Sequence, residues 1–196
     1  VFHPNELNQE ALSRLDECLG LEAHPISVGG SNLLGALISG NSKGLAVADI
    51  ATERDIDILT SFGDVVVMEG GVNTAGNLLL CNSYGAIASP SIPEDGVEII
   101  SEVLQVPIAV SSIAAEDIVG SLGVANDKGV LLHPDVLPDE VKLIEEILNV
   151  TPMVGTVAFG SPYVGAGIAC SNTGAMTGRE TTGPELNRIE DALGFL

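Results

Sequence analysis

With 196 residues, 7 basic against 27 acidic side chains and a formal net charge of −20, the chain has material for one ordinary domain and a surface that repels phosphate polyanions. That balance excludes generic nucleic-acid binding, which relies on a basic groove releasing counterions, so any meeting with RNA needs a basic protein in between; a merely salt-tolerant surface is the bland alternative. Hydrophobic residues at 45%, 23 glycines, no Trp and 3% aromatics describe a globular chain that packs aliphatic side chains close to glycine-rich backbone. Three cysteines without CxxC spacing argue against a disulfide framework or a zinc site. No apolar run approaches the roughly 18–20 residues of a membrane span, and the N-terminus lacks the order of a signal peptide, so a cytoplasmic protein is expected.

In chain order, Val1–Pro4 match Leu131–Pro134 and read as the end of a strand. "NELNQEALSRLDECLG" (5–20) has helical periodicity and is followed by the extended "EAHPISV" (22–28). Next comes "LLGALISGNSKGLAVA" (33–48), which aligns without a gap with "TAGNLLLCNSYGAIAS" (74–89), "IVGSLGVANDKGVLLH" (118–133) and "YVGAGIACSNTGAMTG" (163–178). Glycines recur at Gly35, Gly76, Gly120 and Gly165, and nine residues later at Gly44, Gly85, Gly129 and Gly174. Between them an apolar run leads to Asn41, Asn82, Asn126 or Ser171. Each stretch predicts a β-hairpin whose Gly or Asn accepts positive φ.

Helices are predicted at 52–63, 94–105, 139–149 and 184–194, with Leu15, Leu59, Ile100, Ile144 and Ile189 in one register. Pro93, Pro138 and Pro184 mark three of the helix starts. The acidic run in 139–146 reads as a solvated helix face. Strands follow at 64–70, 106–112 and 151–157. The fold class is α/β: five units of helix, strand and hairpin in one domain over 1–196, with repeats at about 5–48, 49–89, 90–133, 134–178 and 179–196. A closed ring is expected, strands inside and helices outside, in which the terminal helix lies on N-terminal strands; an open solenoid is the alternative. About 25 residues of a first blade are expected to be missing before Val1, leaving the terminal helix the least supported of the five.

The run "GSPYVGAGIACSNTGAMTGRETTGPELNRIEDALGF" (160–195), with the Asn-x-x-Gly turns and the "HPD" helix start, resembles the archaeal translation initiation factor six family, and the likeness runs along the whole chain. The resemblance implies a pentein, a five-bladed ring of βββα repeats with pseudo-fivefold symmetry. It lacks the opening hairpin resembling "NPYIGVF" found in that family. The resemblance further implies a monomer that binds the large ribosomal subunit through an L14-type protein near the sarcin–ricin loop and blocks joining of the small subunit. A role in large-subunit maturation, with release by partner factors, is also implied, without catalysis, cofactor, metal or membrane.

By the same resemblance the ribosome-facing surface includes Gly35, Ala36, Gly76 and Asn77, where Ala36 replaces a basic side chain of some relatives. Ser121 and Ala166 are the repeat equivalents of Ala36 and Asn77, and four small residues each after a Gly predict a flat face suited to docking. Crowding near an axis accounts for small side chains equally well.

Other penteins are enzymes that attack guanidinium carbons with a Cys nucleophile, and the chain does contain Cys and His. Cys81 and Cys170, however, occupy equivalent positions where other units have Gly40 and Ala125, and His3 and His133 are likewise equivalents before a proline. Repeated copies speak for structural roles. "GVNTAGN" (71–77) and "VGGSNLLG" (28–35) lack the terminal Lys of a phosphate loop and are explained by the repeat.

Overall fold

Strand β1 (Phe2–His3) leads into α1 (Gln9–Leu19) and β2 (His24–Pro25) in a computed structural model that describes residues 1–69 and 74–196. The order one-turn helix, two strands, long helix, strand then recurs. It runs first through α2 (Leu34–Leu37), β3 (Ile38–Gly40), β4 (Gly44–Ala48), α3 (Glu53–Leu59) and β5 (Asp64–Met68). The next pass is α4 (Ala75–Leu78), β6 (Leu79–Cys81), β7 (Ala86–Ala88), α5 (Glu94–Leu104) and β8 (Ile108–Val110). The third is α6 (Val119–Leu122), β9 (Gly123–Ala125), β10 (Gly129–Leu132), α7 (Pro138–Leu148) and β11 (Thr151–Val154). The last comprises α8 (Val164–Gly167), β12 (Ile168–Cys170), β13 (Ala175–Thr177) and α9 (Gly183–Ala192).

The long helices keep the register read from the repeats, because each of Leu15, Leu59, Ile100, Ile144 and Ile189 lies seven residues after its N-cap, at Asn8, Thr52, Pro93, Leu137 and Thr182. One turn further on, Leu19, Leu104, Leu148 and Leu193 are at most 1% exposed; α3 stops a turn early, and Leu59 is its last buried residue. Three sheets share one topology, β3-β4-β5, β6-β7-β8 and β9-β10-β11, each an antiparallel hairpin whose second strand pairs in parallel with the strand after the long helix. Their central strands β4, β7 and β10 are buried throughout, which is why they read as unbroken apolar runs. The β12-β13 hairpin and the parallel pair β1-β2 are two-stranded.

The front of each expected hairpin differs from the reading above. Residues 34–37, 75–78, 119–122 and 164–167 are single helical turns, so Asn77 sits on a helix and not within a strand. The four turns pack in succession, α2 on α4, α4 on α6 and α6 on α8.

Three long helices cover the sheet of the preceding unit: α5 lies on β4 and β5, α7 on β7 and β8, and α9 on β10 and β11. The expectation that the terminal helix rests on N-terminal strands is therefore wrong. Its Ile189, Ala192 and Leu193 are buried with Leu131, Val157, Val164 and Ile168. It is the first helix, α1, that meets the last hairpin, through β13, with the Ser171 and Thr173 hydroxyls donating to the Leu19 carbonyl at 2.7 Å. Accordingly α1, burying Leu19 alone, is the least supported of the long helices, and α9 is not.

The turn residues do not serve the purpose expected of them, for none of Gly44, Gly85, Gly129 and Gly174, nor of Asn41, Asn82 and Asn126, is among the residues with positive φ. A Cβ on Gly76 would fall inside contact distance of the Gly35 carbonyl oxygen; one on Gly120 would meet the carbonyls of Gly76 and Leu79, and one on Gly165 those of Gly120 and Gly123. The second series meets long-helix ends in the same way, with Gly44 against Val103, Gly85 against Ile147, Gly129 against Ala192 and Gly174 against Cys18. These glycines are required because backbone meets backbone, and positive φ does not enter.

Overpacking at such a contact costs about 1–3 kcal/mol or more. Gly120→Ala is expected to lower the unfolding free energy by that amount, read as a lower urea midpoint at unchanged slope, whereas Gly178→Ala, with nothing within 4 Å of the added methyl, leaves the midpoint unchanged. Equal midpoints for the two variants would remove close approach as the reason for the first series.

Candidate functional site: a rim of one-turn helices

The two ends of the hairpins are built differently. At the turn end, the Asn82 side chain accepts from the N–H groups of Tyr84 and Gly85 (2.9 and 3.1 Å) and donates to the carbonyls of Asn126 and Leu148 (3.1 and 2.9 Å). Asn41 does the same towards Asn82 and Leu104, and Asn126 towards Ser171 and Leu193. The amide uses both donors and its acceptor, one for its own turn, one for the next turn and one for a helix end that would otherwise lack a partner. Asp127 extends this link, accepting from the Ser83 N–H and hydroxyl and from Asn172; burial opposes its ionisation, but these donors outweigh it and hold the carboxyl below the usual range.

Cys81 and Cys170 belong to this end. Their thiols donate across to the carbonyls of Gly40 (3.2 Å) and Ala125 (3.4 Å), one unit back, and both line a cavity of about 280 Å³ with Asn41, Asn82, Asn126 and Ser171. Burial pushes both thiols up, Cys170 to about 12, away from the thiolate that nucleophilic chemistry requires. His3 and His133 are engaged in their own loops, His3 Nδ1 lying 2.8 Å from the Pro4 carbonyl and His133 Nδ1 accepting from the Asp135 N–H at 3.0 Å. Among the described residues no three His, Cys, Asp or Glu side chains cluster as a metal centre, and none of the described cavities joins a thiol to an imidazole.

The opposite end carries every candidate docking residue. Gly35 and Ala36 lie on α2, Gly76 and Asn77 on α4, Ser121 on α6 and Ala166 on α8, so the stacking of the one-turn helices brings all six onto one rim. Exposure varies along it: Gly35 and Ala166 are exposed, Ala36, Gly76 and Asn77 half-buried, and Ser121 buried. The Ser121 hydroxyl donates to Asn77 Oδ1 at 3.0 Å, which links α6 to α4 across the rim. Residues 71–73 of "GVNTAGN" lie outside the described residues; 28–31 of "VGGSNLLG" form a tight turn closed by Val28 and Ser31.

Sequence reasoning missed the groups that hold the turns in front of these helices. The third residue of a long helix is an acid whose carboxylate reaches back: Asp55 accepts from the Gly29 N–H (2.9 Å), Glu140 from the Ala114 N–H (2.8 Å), and Glu185 from the N–H groups of Phe159 (3.2 Å) and Gly160 (2.8 Å). Each also accepts from the N–H of its N-cap residue, closing half of a capping box. Glu140 is consequently buried, and the acidic run in 139–146 is not wholly a solvated face. The available signal was an acid three residues after Thr52, Leu137 and Thr182. Burial disfavours the Glu185 carboxylate, yet donors from Thr182, Gly160 and Thr156 prevail and hold it at about 2. Asp55 is lowered in the same sense by Thr52, Gly29 and the Arg54 charge against its burial.

With this geometry established, comparison places the chain. Residues 1–192 match the eIF-6 family. The chain belongs to the eIF-6 family. Relatives named Translation initiation factor 6 include one from Natronomonas pharaonis, 47% identical over 193 residues that span 97% of this chain and 87% of the relative. Another, from Methanocella arvoryzae, is 44% identical over 196 residues, 100% of this chain and 89% of the relative. A third, from Haloquadratum walsbyi, is 42% identical over 91% of this chain and 80% of its own. Among solved structures, the N-terminal domain of ArgZ, an arginine dihydrolase of the cyanobacterial ornithine–ammonia cycle, crystallised as a C264S mutant with substrate, superposes with a TM-score of 0.57. It is 9% identical and covers 94% of this chain and 74% of that domain, a likeness of mixed α/β pentein fold alone. No helix among the described residues is long and apolar enough to cross a membrane.

Two outcomes follow from the ionisable groups. Because the folded-state pKa of Glu185 is lowered from 4.5 to about 2, its contribution to stability is complete above pH 4.5 and lost as pH falls through about 2. The gap in thermal midpoint between the parent and Glu185→Gln should therefore be widest near neutral pH and close towards pH 2. In the native protein at pH 8, a thiol reagent should modify exposed Cys18 fastest and the half-buried Cys81 and Cys170, whose thiols are held protonated, far more slowly; equal rates at all three would contradict the raised pKa of the latter pair.

Proposed function

We propose that the protein is a translation factor that binds the large ribosomal subunit through the rim bearing Gly35, Ala36, Gly76, Asn77, Ser121 and Ala166, and that its bulk then excludes the small subunit. The docking site on the subunit is a basic protein of the L14 type near the sarcin–ricin loop, and large-subunit maturation is a second setting for the same contact. The chain acts as a cytoplasmic monomer, one pentein domain of five α/β blades around a pseudo-fivefold axis, with repeats at the boundaries read from the sequence. In support, α5, α7 and α9 each lie on the sheet of the preceding unit, and α1 on β13 joins the first helix to the last hairpin.

The observation that carries the reading is the rim itself. Glycine-to-carbonyl contacts between α2, α4, α6 and α8 yield a rigid, shallow surface of backbone and small side chains, whereas both repeated cysteines lie half-buried at the opposite end as hydrogen-bonded thiols with raised pKa. A shallow rigid surface suits docking, where little ordering entropy remains to be lost. The net charge of −20 favours a basic protein as the point of contact over ribosomal RNA phosphate.

Asn77→Asp keeps Oδ1 as acceptor for Ser121 while replacing the amide donor by a carboxylate oxygen. It is expected to weaken co-sedimentation with purified large subunits by about tenfold, the scale of one lost interfacial hydrogen bond and an added unpaired charge, with an unchanged unfolding midpoint. Parental binding by this variant would exclude the rim around Asn77 from the contact.

A further inference from the structure

Three tight turns precede one-turn helices and are pinned by the acids of the long helices: 28–31 by Asp55, 113–116 by Glu140 and 157–161 by Glu185. In each, consecutive residues adopt positive φ. The first uses Gly29 and Gly30, for which that conformation costs nothing. The second uses Ala114 and Ala115, the smallest side chains that can tolerate it. The third places Phe159 at φ 65°, between Ala158 and Gly160, and leaves its ring 80% exposed.

An aromatic at this position is unfavourable twice over, through left-handed backbone strain and through apolar exposure, and the fold does not need it, since glycine and alanine build the equivalent turns. Glu185 nevertheless holds the tip with bonds to both the Phe159 and Gly160 N–H groups, and a further anchor comes from the Thr181 hydroxyl, which accepts from the Ala158 N–H at 3.3 Å. The ring is thereby displayed on a fixed support, with little entropy left to lose on contact.

Its surroundings indicate the occupant. Tyr163, the residue before α8, is 41% exposed, and its equivalent before α2, Leu33, is 71% exposed. The loops leaving the hairpins return to the same end, as shown by the Ser89 N–H on the Leu78 carbonyl (2.9 Å) and the His133 N–H on the Leu122 carbonyl (2.8 Å). These loops and the 113–116 turn carry Asp49, Glu116, Asp117, Asp135 and Glu180, in a chain whose net charge is −20. Apolar tips among carboxylates match a protein surface with an apolar pocket bordered by Lys or Arg, and they mismatch the phosphate backbone of RNA.

We propose that Phe159, held out by Glu185, is the anchor by which this end of the molecule inserts into an apolar pocket of a basic protein partner. The proposal rests on the docking reading above and names the residue that carries its affinity. The test uses purified large ribosomal subunits and, separately, protein-free large-subunit RNA, with co-sedimentation as the readout. Phe159→Gly should lower affinity for the subunits by about tenfold or more, as expected for a buried aromatic anchor, without lowering the thermal midpoint, because it removes left-handed strain; Phe159→Tyr should retain binding. Ile99→Ser, removing a half-exposed apolar side chain from α5, should bind as the parent does. If the parent binds and Phe159→Gly binds within about twofold of it, the anchor is wrong and the docking face stands. Equal binding of the parent to protein-free RNA would overturn the basic-protein partner. A parent that does not sediment with large subunits removes both the anchor and the function it serves.

Discussion

The contact on which the rest of the structure depends is the approach of one unit's backbone to the next unit's carbonyl oxygens at positions where a methyl group would collide. It occurs at the turn end of all four hairpins and at the opposite end of three of them, Gly35 having open space beside it. Gly76, Gly120 and Gly165 admit the carbonyls of the preceding one-turn helix, and Gly44, Gly85, Gly129 and Gly174 admit the end of a long helix. A protein assembled this way has little tolerance along the direction of stacking, since packed backbones have no rotamers with which to adjust. Rigidity at the rim is thus a consequence of how the units join.

Close approach of carbonyls requires donors, and these come from the turn asparagines. Asn41, Asn82 and Asn126 each satisfy a helix C-terminal carbonyl and the neighbouring turn, and Ser171 substitutes where α1 arrives from the other end of the chain. The acids at the third position of α3, α7 and α9 perform the corresponding service at the opposite end, holding tight turns through backbone N–H groups. Polar side chains that would be costly alone are here engaged, and the hydrogen-bonded thiols of Cys81 and Cys170 are part of the same interlock. A fold shared with an arginine dihydrolase domain accordingly carries no thiolate at these positions.

Much of this was legible because the chain repeats. Equivalent positions revealed the helix register through Leu59, Ile100, Ile144 and Ile189, the buried central strands through their unbroken apolar runs, and the structural nature of Cys81 and Cys170 through their recurrence. The turn glycines were located correctly and explained wrongly, since a sequence offers positive φ and close approach as equal reasons for Gly, and only neighbouring atoms separate the two. Glu140 looked like part of a solvated acidic face because its partner, the Ala114 N–H, lies 26 residues away.

By itself the sequence determined the long helices, the strand pairs, their order and their equivalence, for these follow from apolar periodicity and repeat spacing within about a dozen residues, while the one-turn helices in front of the hairpins read as strand. Tertiary structure decided the rest. It set α9 on β10 and β11 and gave α1 to the last hairpin, which no local pattern encodes because every long helix presents the same kind of stripe to any apolar sheet. It also made one rim of Gly35, Ala36, Gly76, Asn77, Ser121 and Ala166, and set Phe159 out from it. Which end of the molecule faces a partner depends on stacking between units 41–45 residues apart, and that interaction has no signature within any one of them.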